Sequence, residues 1–352
     1  MVVVWGQQVF SKIINKKPII HTRILSIDGG GVRGIVPAIT LTYLEEKLQQ
    51  LSGNTGARLA DYFDLLAGTS TGGLIVASLL TPDKNNRPKY SAAEIVDLYL
   101  KNAEAIFQSS FIQGIKSASG LLDVKYNTAG VNSVYQQYFA DTELKQLLKP
   151  CLIPVYDLAT GKNYFFRQRA AKAGYKHNYY VKDMLRAATA ALTYFPPAKI
   201  NNINNTRECC FIDGGIFAIN PALSAYAEFR HLNKKLLSED TLILSLGTGK
   251  QTTLLNCEEI RHWGAVEWRD PGSHLIATAL ASQSNYELTA VYCDNNNYLR
   301  LNPIIDNQHN AKLDNSDSVY LEFLCELGRQ SIRDNQVALD SFAERLVESG
   351  VR

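Results

Sequence analysis

The chain has 352 residues, 46% hydrophobic and 20% charged, with 36 Lys and Arg against 34 Asp and Glu and a formal net charge of +2. That balance supplies ample apolar material for a buried core and excludes an intrinsically disordered chain. It also offers no broad basic field, so no nucleic-acid partner is expected.

Residues 1–20 read as an N-terminal extension. They lack the uninterrupted apolar stretch and small-residue cleavage site of a secretory signal, and no run in the chain approaches the roughly 18 apolar residues of a membrane span. Trp5, Val9 and Ile13 recur at helical spacing beside Lys12, Lys16 and Lys17, a pattern that fits an element packed on the domain better than an interfacial helix. The six cysteines have no metal-ligand or small-scaffold spacing, and the adjacent Cys209 and Cys210 cannot close an unstrained bridge with each other. Reduced thiols and a cytoplasmic setting follow as expectations, with secretion by a signal-peptide-independent route left open.

Arg23 to Ile27 reads as a short buried strand running into Asp28-Gly29-Gly30-Gly31, after which Pro37 suits the first turn of a helix that runs to Leu51 and stops at Gly53. A second strand is expected at Tyr62 to Ala67, and a buried helix beginning at Ser70. Ser91 and Glu94 form a capping-box pair ahead of a helix reaching about Phe107. Ser109 to Thr128 has no clear period and reads as a loop or lid. Strands follow at Leu152 to Asp157, Tyr164 to Arg167, Cys209 to Ile212 and Leu242 to Leu246, with helices near Met184 to Leu192 and Ala222 to Leu237 and a helical tail from Val319 to Val347. The Asn-rich stretch Ile200 to Arg207 reads as a surface loop. This alternation of strand and helix predicts an α/β fold, a largely parallel central sheet with helices on both faces and functional loops at the carboxyl ends of its strands. Residues 21–352 form a single predicted catalytic domain, with a core at 24–249 and a helical C-terminal part at 250–352.

Three strand-to-turn segments could carry chemistry. Gly68-Thr69-Ser70-Thr71-Gly72 fits a nucleophile elbow, where small flanking residues permit a tight strand-to-helix turn that lifts a serine hydroxyl above the sheet; its bland alternative is a helix N-cap serine. Gly29, Gly30, Gly31, Val32, Arg33 and Gly34 form a turn whose amides could hold an oxyanion. The same residues also satisfy a dinucleotide-binding G-x-G-x-x-G, but the acidic residue required about twenty positions on is replaced by Ser52, Gly53 and Asn54. Asp213, followed by Gly214 and Gly215, ends a predicted strand in a sharp turn that could project the carboxylate toward a serine on a neighbouring strand; alone it is only a turn signal.

A Ser-His-Asp triad would need a histidine near Ser70, and His231, His262, His274 and His309 all lack a glycine-flanked loop after a core strand. No histidine and carboxylate spacing suggests a metal, and no cofactor is expected. Ser245 to Lys250 departs from a phosphate loop at both ends and reads as a turn near the active site. Arg33 could meet a phosphate headgroup or brace its loop. Phe111 to Leu122 and the aromatics Tyr164, Phe165, Phe166, Tyr194 and Phe195 could line an acyl channel, though core packing is favoured for most of them.

Taken together and in this order, the three motifs make the sequence resemble the patatin-like phospholipase family. Ala187 to Ala190 leading to Thr193-Tyr194-Phe195-Pro196-Pro197, and Ser245 to Gly249, add to the likeness, which covers roughly Ile24 to Gly249. The resemblance implies a three-layer patatin-like sandwich and a Ser-Asp dyad, with Ser70 as nucleophile and Asp213 as base. It implies a lipid acyl hydrolase acting on phospholipids or other glycerolipids through an acyl-enzyme, in peripheral contact with membranes. A general carboxylesterase or acyltransferase using the same dyad is the alternative, and an inactive interaction protein on this fold is a more distant one. Control by an activating partner or nucleotide is left open.

Overall fold

A computed structural model describes residues 22–107, 128–192, 194–232, 240–251, 258, 261–262, 271–292, 297–305 and 313–350. The N-terminal extension, most of the expected lid at 109–128, and residues 233–237 of the helix expected to reach Leu237 lie outside them.

The central sheet is built on β1 (Thr22–Ile27), whose six residues are all buried. It pairs in parallel with β2 (Leu65–Gly68) on one side and β7 (Thr241–Leu246) on the other. Continuous apolar runs such as Leu242-Ile243-Leu244 suit strands covered on both faces, and period-two alternation then sorts their side chains. Leu25, Ile27, Leu66, Leu242 and Leu244 enter one large core, whereas Ile24, Leu65, Ala67 and Ile243 enter a smaller one on the opposite face. The full order is β5 (Ala198–Asn201), β6 (Glu208–Asp213), β3 (Cys151–Asp157), β2, β1, β7 and β9 (Tyr298–Leu301), with β4 (Lys162–Arg167) also paired to β3. The pairings from β3 through β2, β1 and β7 to β9 are parallel, and those of β3 with β4, β3 with β6, and β5 with β6 are antiparallel. A short second sheet joins β8 (Lys250–Gln251) to β10 (Ile304–Ile305).

The large core is roofed by α1 (Ile35–Ser52), α2 (Thr71–Leu80), α3 (Ala92–Phe107), α4 (Ala129–Phe139), α6 (Val181–Ala188), α9 (Ser318–Asp334) and α10 (Gln336–Glu348), with α5 (Gln168–Ala173) after β4. The smaller core is covered by α7 (Ala222–Leu232) and α8 (Pro271–Val291) through Ala222, Ala225 and Leu288, with Tyr292 just past the end of α8. Helices on both faces of the sheet make the three layers expected from the strand and helix alternation. The helix limits follow local chemistry. Gly53 ends α1 in the left-handed region at φ 66°, the Ser91–Glu94 capping box opens α3, and Asp317 caps α9 by accepting from Val319 N at 2.9 Å.

Register on β3 decides where the loops meet. β4 occupies one edge of β3 from Leu152 to Asp157, so β2, paired at Cys151 and Leu152, and β6, paired at Val155 to Asp157, share the other edge. Because β2 runs parallel and β6 antiparallel to β3, their carboxyl ends converge on one another above the middle of that edge.

Five expectations require correction. The second strand begins at Leu65 rather than Tyr62, and the part at 250–352 is not all helical, since it supplies β8, β10 and β9, the last pairing with β7 in the central sheet. Ser70 precedes α2 rather than opening it. The helix near Met184 to Leu192 stops at Ala188, because Thr189 to Ala191 turn to meet β6, Asp213 N donating to Ala190 O at 3.1 Å. The stretch Ile200 to Arg207 is not all surface loop: Ile200 and Asn201 end β5, and Asn202 is buried, its side-chain oxygen accepting from Thr206 N at 2.8 Å and Arg207 N at 3.2 Å to close the β5–β6 hairpin.

Candidate active site

The segment Gly68–Gly72 has no room for larger residues. A Cβ on Gly68 would overlap the carbonyl of Gly72, and one on Gly72 would overlap the carbonyl of Ile27. The turn they permit holds Ser70 at φ 53°, ψ −121°, a conformation that costs a non-glycine residue about 1–3 kcal/mol and persists only where neighbours enforce it. Those neighbours are named. Thr69 N donates to Ile27 O at 3.1 Å and Thr69 Oγ1 to Ala218 O at 2.6 Å, while the buried Tyr99 hydroxyl bonds the Thr71 side chain and donates to Thr71 O at 3.1 Å. The amino end of α2, with Gly73 N donating to Ser70 O at 2.8 Å, directs its dipole at the serine.

Asp213 ends β6 and is 5% exposed. Gly214 packs against the carbonyl of Pro154, and Gly215 N donates to Asp213 Oδ1 at 2.8 Å, which fixes the carboxylate over the sheet edge. Burial lifts its pKa from 3.8 to about 6, against the opposing pull of the Ser70 hydroxyl and of the Gly215 amide. Ser70 and Asp213 are thereby brought together from the two strand ends that converge on β3.

The glycine turn is only partly free. Gly29 N donates to Ile219 O at 3.0 Å, Val32 N to Leu313 O at 2.9 Å and Arg33 N to Gly30 O at 3.2 Å, so three of the amides expected to face an anion are committed to carbonyls. Val32 and Gly34 also lie off the cavity that the turn borders, Gly34 being wedged beneath Thr71 and Tyr99. The amides of Gly30 and Gly31 meet no acceptor among the described residues, and Gly31, at φ 59°, holds a backbone conformation that favours glycine.

Two supports of this turn come from remote sequence. Asp28 is buried, and burial raises its pKa, but Arg300 on β9 grips it with both guanidinium nitrogens, at 2.8 Å to Oδ1 and 2.5 Å to Oδ2, while also donating to Ser245 Oγ at 2.9 Å. Thr248 Oγ1 donates to Gly29 O at 2.9 Å, and a Cβ on Gly30 would strike the Thr248 side chain. The Ser245 to Lys250 turn thus abuts the glycine loop. Arg300 had no signal in the sequence, since its partner lies 272 positions away.

Ser70, Asp213, Gly30 and Gly31 border one cavity of about 530 Å³. Its walls are mainly apolar, including Leu74, Ile106, Val131, Ile216 and Ile219, with Tyr194 and Phe195 from the expected aromatic set. Tyr164 and Phe166 instead pack into the large core and Phe165 against the smaller one, as favoured for most of that set. Phe111 to Leu122 lie outside the described residues. Leu192 and Ile216 line the cavity and remain 50% and 39% exposed.

Arg33 also borders the cavity. It is buried, its Nε donates to Gly30 O at 3.4 Å, and desolvation lowers its pKa; among the described residues no carboxylate forms an ion pair with it. Of the histidines, His177, His231 and His262 are exposed and none borders the cavity, while the side chains of His21, His274 and His309 lie outside the described set.

A family model described as patatin-like phospholipase matches residues 25–226. Patatin group A-2 from Solanum tuberosum is 34% identical over 333 residues, 88% of this chain and 83% of its own length, and patatin-16 from the same organism is 34% identical over 335 residues with the same coverage. Among solved structures, VipD from Legionella pneumophila aligns over 92% of this chain and 67% of its own at 12% identity, with a TM-score of 0.37, too distant to bear on the fold.

Proposed function

The chain belongs to the patatin-like phospholipase family, membership that supports lipid acyl hydrolase activity, and we propose that it cleaves fatty-acyl esters of glycerolipids through Ser70 and Asp213. Asp213 takes the Ser70 hydroxyl proton as the oxygen attacks the acyl carbonyl, and the amides of Gly30 and Gly31 hold the negative oxygen that develops. The ester's alcohol leaves with a proton, an acyl-enzyme remains, and water attacks it in turn to release the fatty acid. An aspartate whose pKa lies near 6 is a stronger base than an ordinary surface carboxylate and is still ionised at neutral pH.

The single observation that carries this reading is the shared cavity. The hydroxyl, the carboxylate and two glycine amides without protein acceptors among the described residues border one largely apolar space of about 530 Å³. A fatty-acyl chain suits such walls, which favours a lipid over a small polar ester. The exposed Leu192 and Ile216 at the same cavity support peripheral contact with a lipid surface. Arg33 beside them is the proposed contact for a phosphate headgroup.

A fluorophosphonate probe tests the nucleophile: wild type should be labelled and Ser70→Ala should not. Hydrolysis of phospholipid vesicles should fall with loss of either Ser70 or Asp213. Cleavage of short-chain esters only, with no gain from longer chains or an interface, would assign the same dyad to a general esterase.

A further inference from the structure

The Ala187–Ala190 segment is a sequence motif with no part in the steps above, yet it touches both sides of the site. Asp213 N donates to Ala190 O at 3.1 Å, while the neighbouring Thr189 side chain lies 3.1 Å from the hydroxyl of Tyr135 on α4. Thr189 Oγ1 also donates to Leu185 O, one turn back in α6, at 2.8 Å. A threonine hydroxyl has one proton, so with that proton on Leu185 O the Thr189 oxygen can only accept, and Tyr135 must be the donor between the two. Its own proton engaged, the Tyr135 oxygen presents only lone pairs to the cavity.

Tyr135 and Thr189 border the same cavity as Ser70 and Asp213, and Tyr135 is almost fully buried. Burial pushes the Tyr135 pKa up to about 12, against the pull of the Thr189 hydrogen bond and of Arg186 and with a smaller push from the Asp213 carboxylate; no hydrogen bond joins the phenol to that carboxylate, which accepts from Gly215 N. Two acceptors therefore border the cavity that also holds the nucleophile, with no hydrogen bond between them. That arrangement matches a water molecule, which has two protons to give, and not an alcohol, which has one.

We propose that Tyr135, oriented by Thr189, is the positioning residue for the hydrolytic water in deacylation. The inference rests on the acyl-enzyme reading of Ser70 and Asp213. Once the acyl group is on Ser70, water donates one proton to Asp213 and the other to the Tyr135 oxygen, which turns its lone pair toward the ester carbon. The bond from water oxygen to carbon forms, Asp213 takes the first proton, the bond from Ser70 Oγ to carbon breaks, and that proton passes to Ser70 Oγ as the free fatty acid departs. An alcohol acceptor would offer no second proton to Tyr135, so the same contact favours hydrolysis over transfer.

Tyr135→Phe tests this by removing one oxygen and keeping the ring. On a p-nitrophenyl ester of a medium-chain fatty acid, the variant should retain kcat/KM within about threefold while kcat and KM fall together by about tenfold, the effect of one lost orienting hydrogen bond. Stopped-flow traces should show a burst of nitrophenolate, and intact-protein mass spectrometry should show an acyl adduct absent from Ser70→Ala. Added methanol should raise turnover more in the variant than in wild type. Thr189→Val, which keeps shape and removes the acceptor, should reproduce the pattern and guards against a folding defect in the first variant. Equal losses of kcat and kcat/KM without an adduct, or unchanged kinetics in both variants, would overturn the proposal. Absence of Ser70-dependent hydrolysis in wild type would instead refute the acyl-enzyme reading beneath it.

Discussion

Replacing Asp213 by Asn should make the folded protein more stable at neutral pH while removing its activity. The carboxylate is almost fully buried, and its pKa rises from 3.8 to about 6 on folding. The fold therefore prefers the protonated form, so the cost of holding the ionised group is complete above pH 6 and vanishes below the unfolded value of 3.8. A difference of about 2 pKa units corresponds to roughly 3 kcal/mol at pH 8 and about half of that at pH 5. Asparagine keeps the shape and an oxygen for the Gly215 amide without the charge. Urea denaturation of wild type and Asp213→Asn at pH 8 and pH 5 measures both values. Coincident midpoints at pH 8, or a gap that fails to narrow at pH 5, would refute the assignment of Asp213 as a carboxylate strained by burial.

The same shift sets the pH profile: only the ionised carboxylate accepts the Ser70 proton, so kcat/KM should fall about tenfold per pH unit below an inflection near pH 6. A pH-rate series on a soluble ester reads this, and a limb near pH 4 would mean an unperturbed base. Arg300→Met should leave Asp28 buried without its partner and cost about 3–5 kcal/mol, visible as a lowered denaturation midpoint that recovers in Asp28→Asn/Arg300→Met. Arg33→Ala should reduce hydrolysis of phospholipid more than that of a small neutral ester; equal losses on both would assign Arg33 to bracing the Gly30 carbonyl instead.

What could be read ahead of the structure was what local sterics impose. Gly68 and Gly72 abut carbonyls of their own turn or of adjacent β1, so the elbow is written into five consecutive residues. The same holds for the Gly53 stop and the Ser91–Glu94 capping box. Tertiary pairing hid the rest. Which glycine-loop amides stay free depends on the carbonyls of Ile219 and Leu313, both nearly 200 residues or more away in sequence, so six candidate positions reduce to Gly30 and Gly31. Tyr135 lies on a helix whose apolar face, Val131, Val134, Tyr135 and Phe139, keeps helical spacing but whose sequence announces no start, because Thr128 makes no side-chain cap. β5 was obscured by the asparagines around it, since nothing in a row of asparagines reveals that Asn202 is the buried one that folds the hairpin.

Lipid-product mass spectrometry on phospholipid vesicles, comparing wild type with Ser70→Ala and Asp213→Asn at matched, folded concentrations, bears most directly on the paired hydroxyl and carboxylate. Wild type should release free fatty acid, and each variant should lose activity by at least about 1000-fold, as expected when one member of a nucleophile and base pair is removed. Fatty-acid release by Asp213→Asn at a rate close to wild type would show that another base serves Ser70.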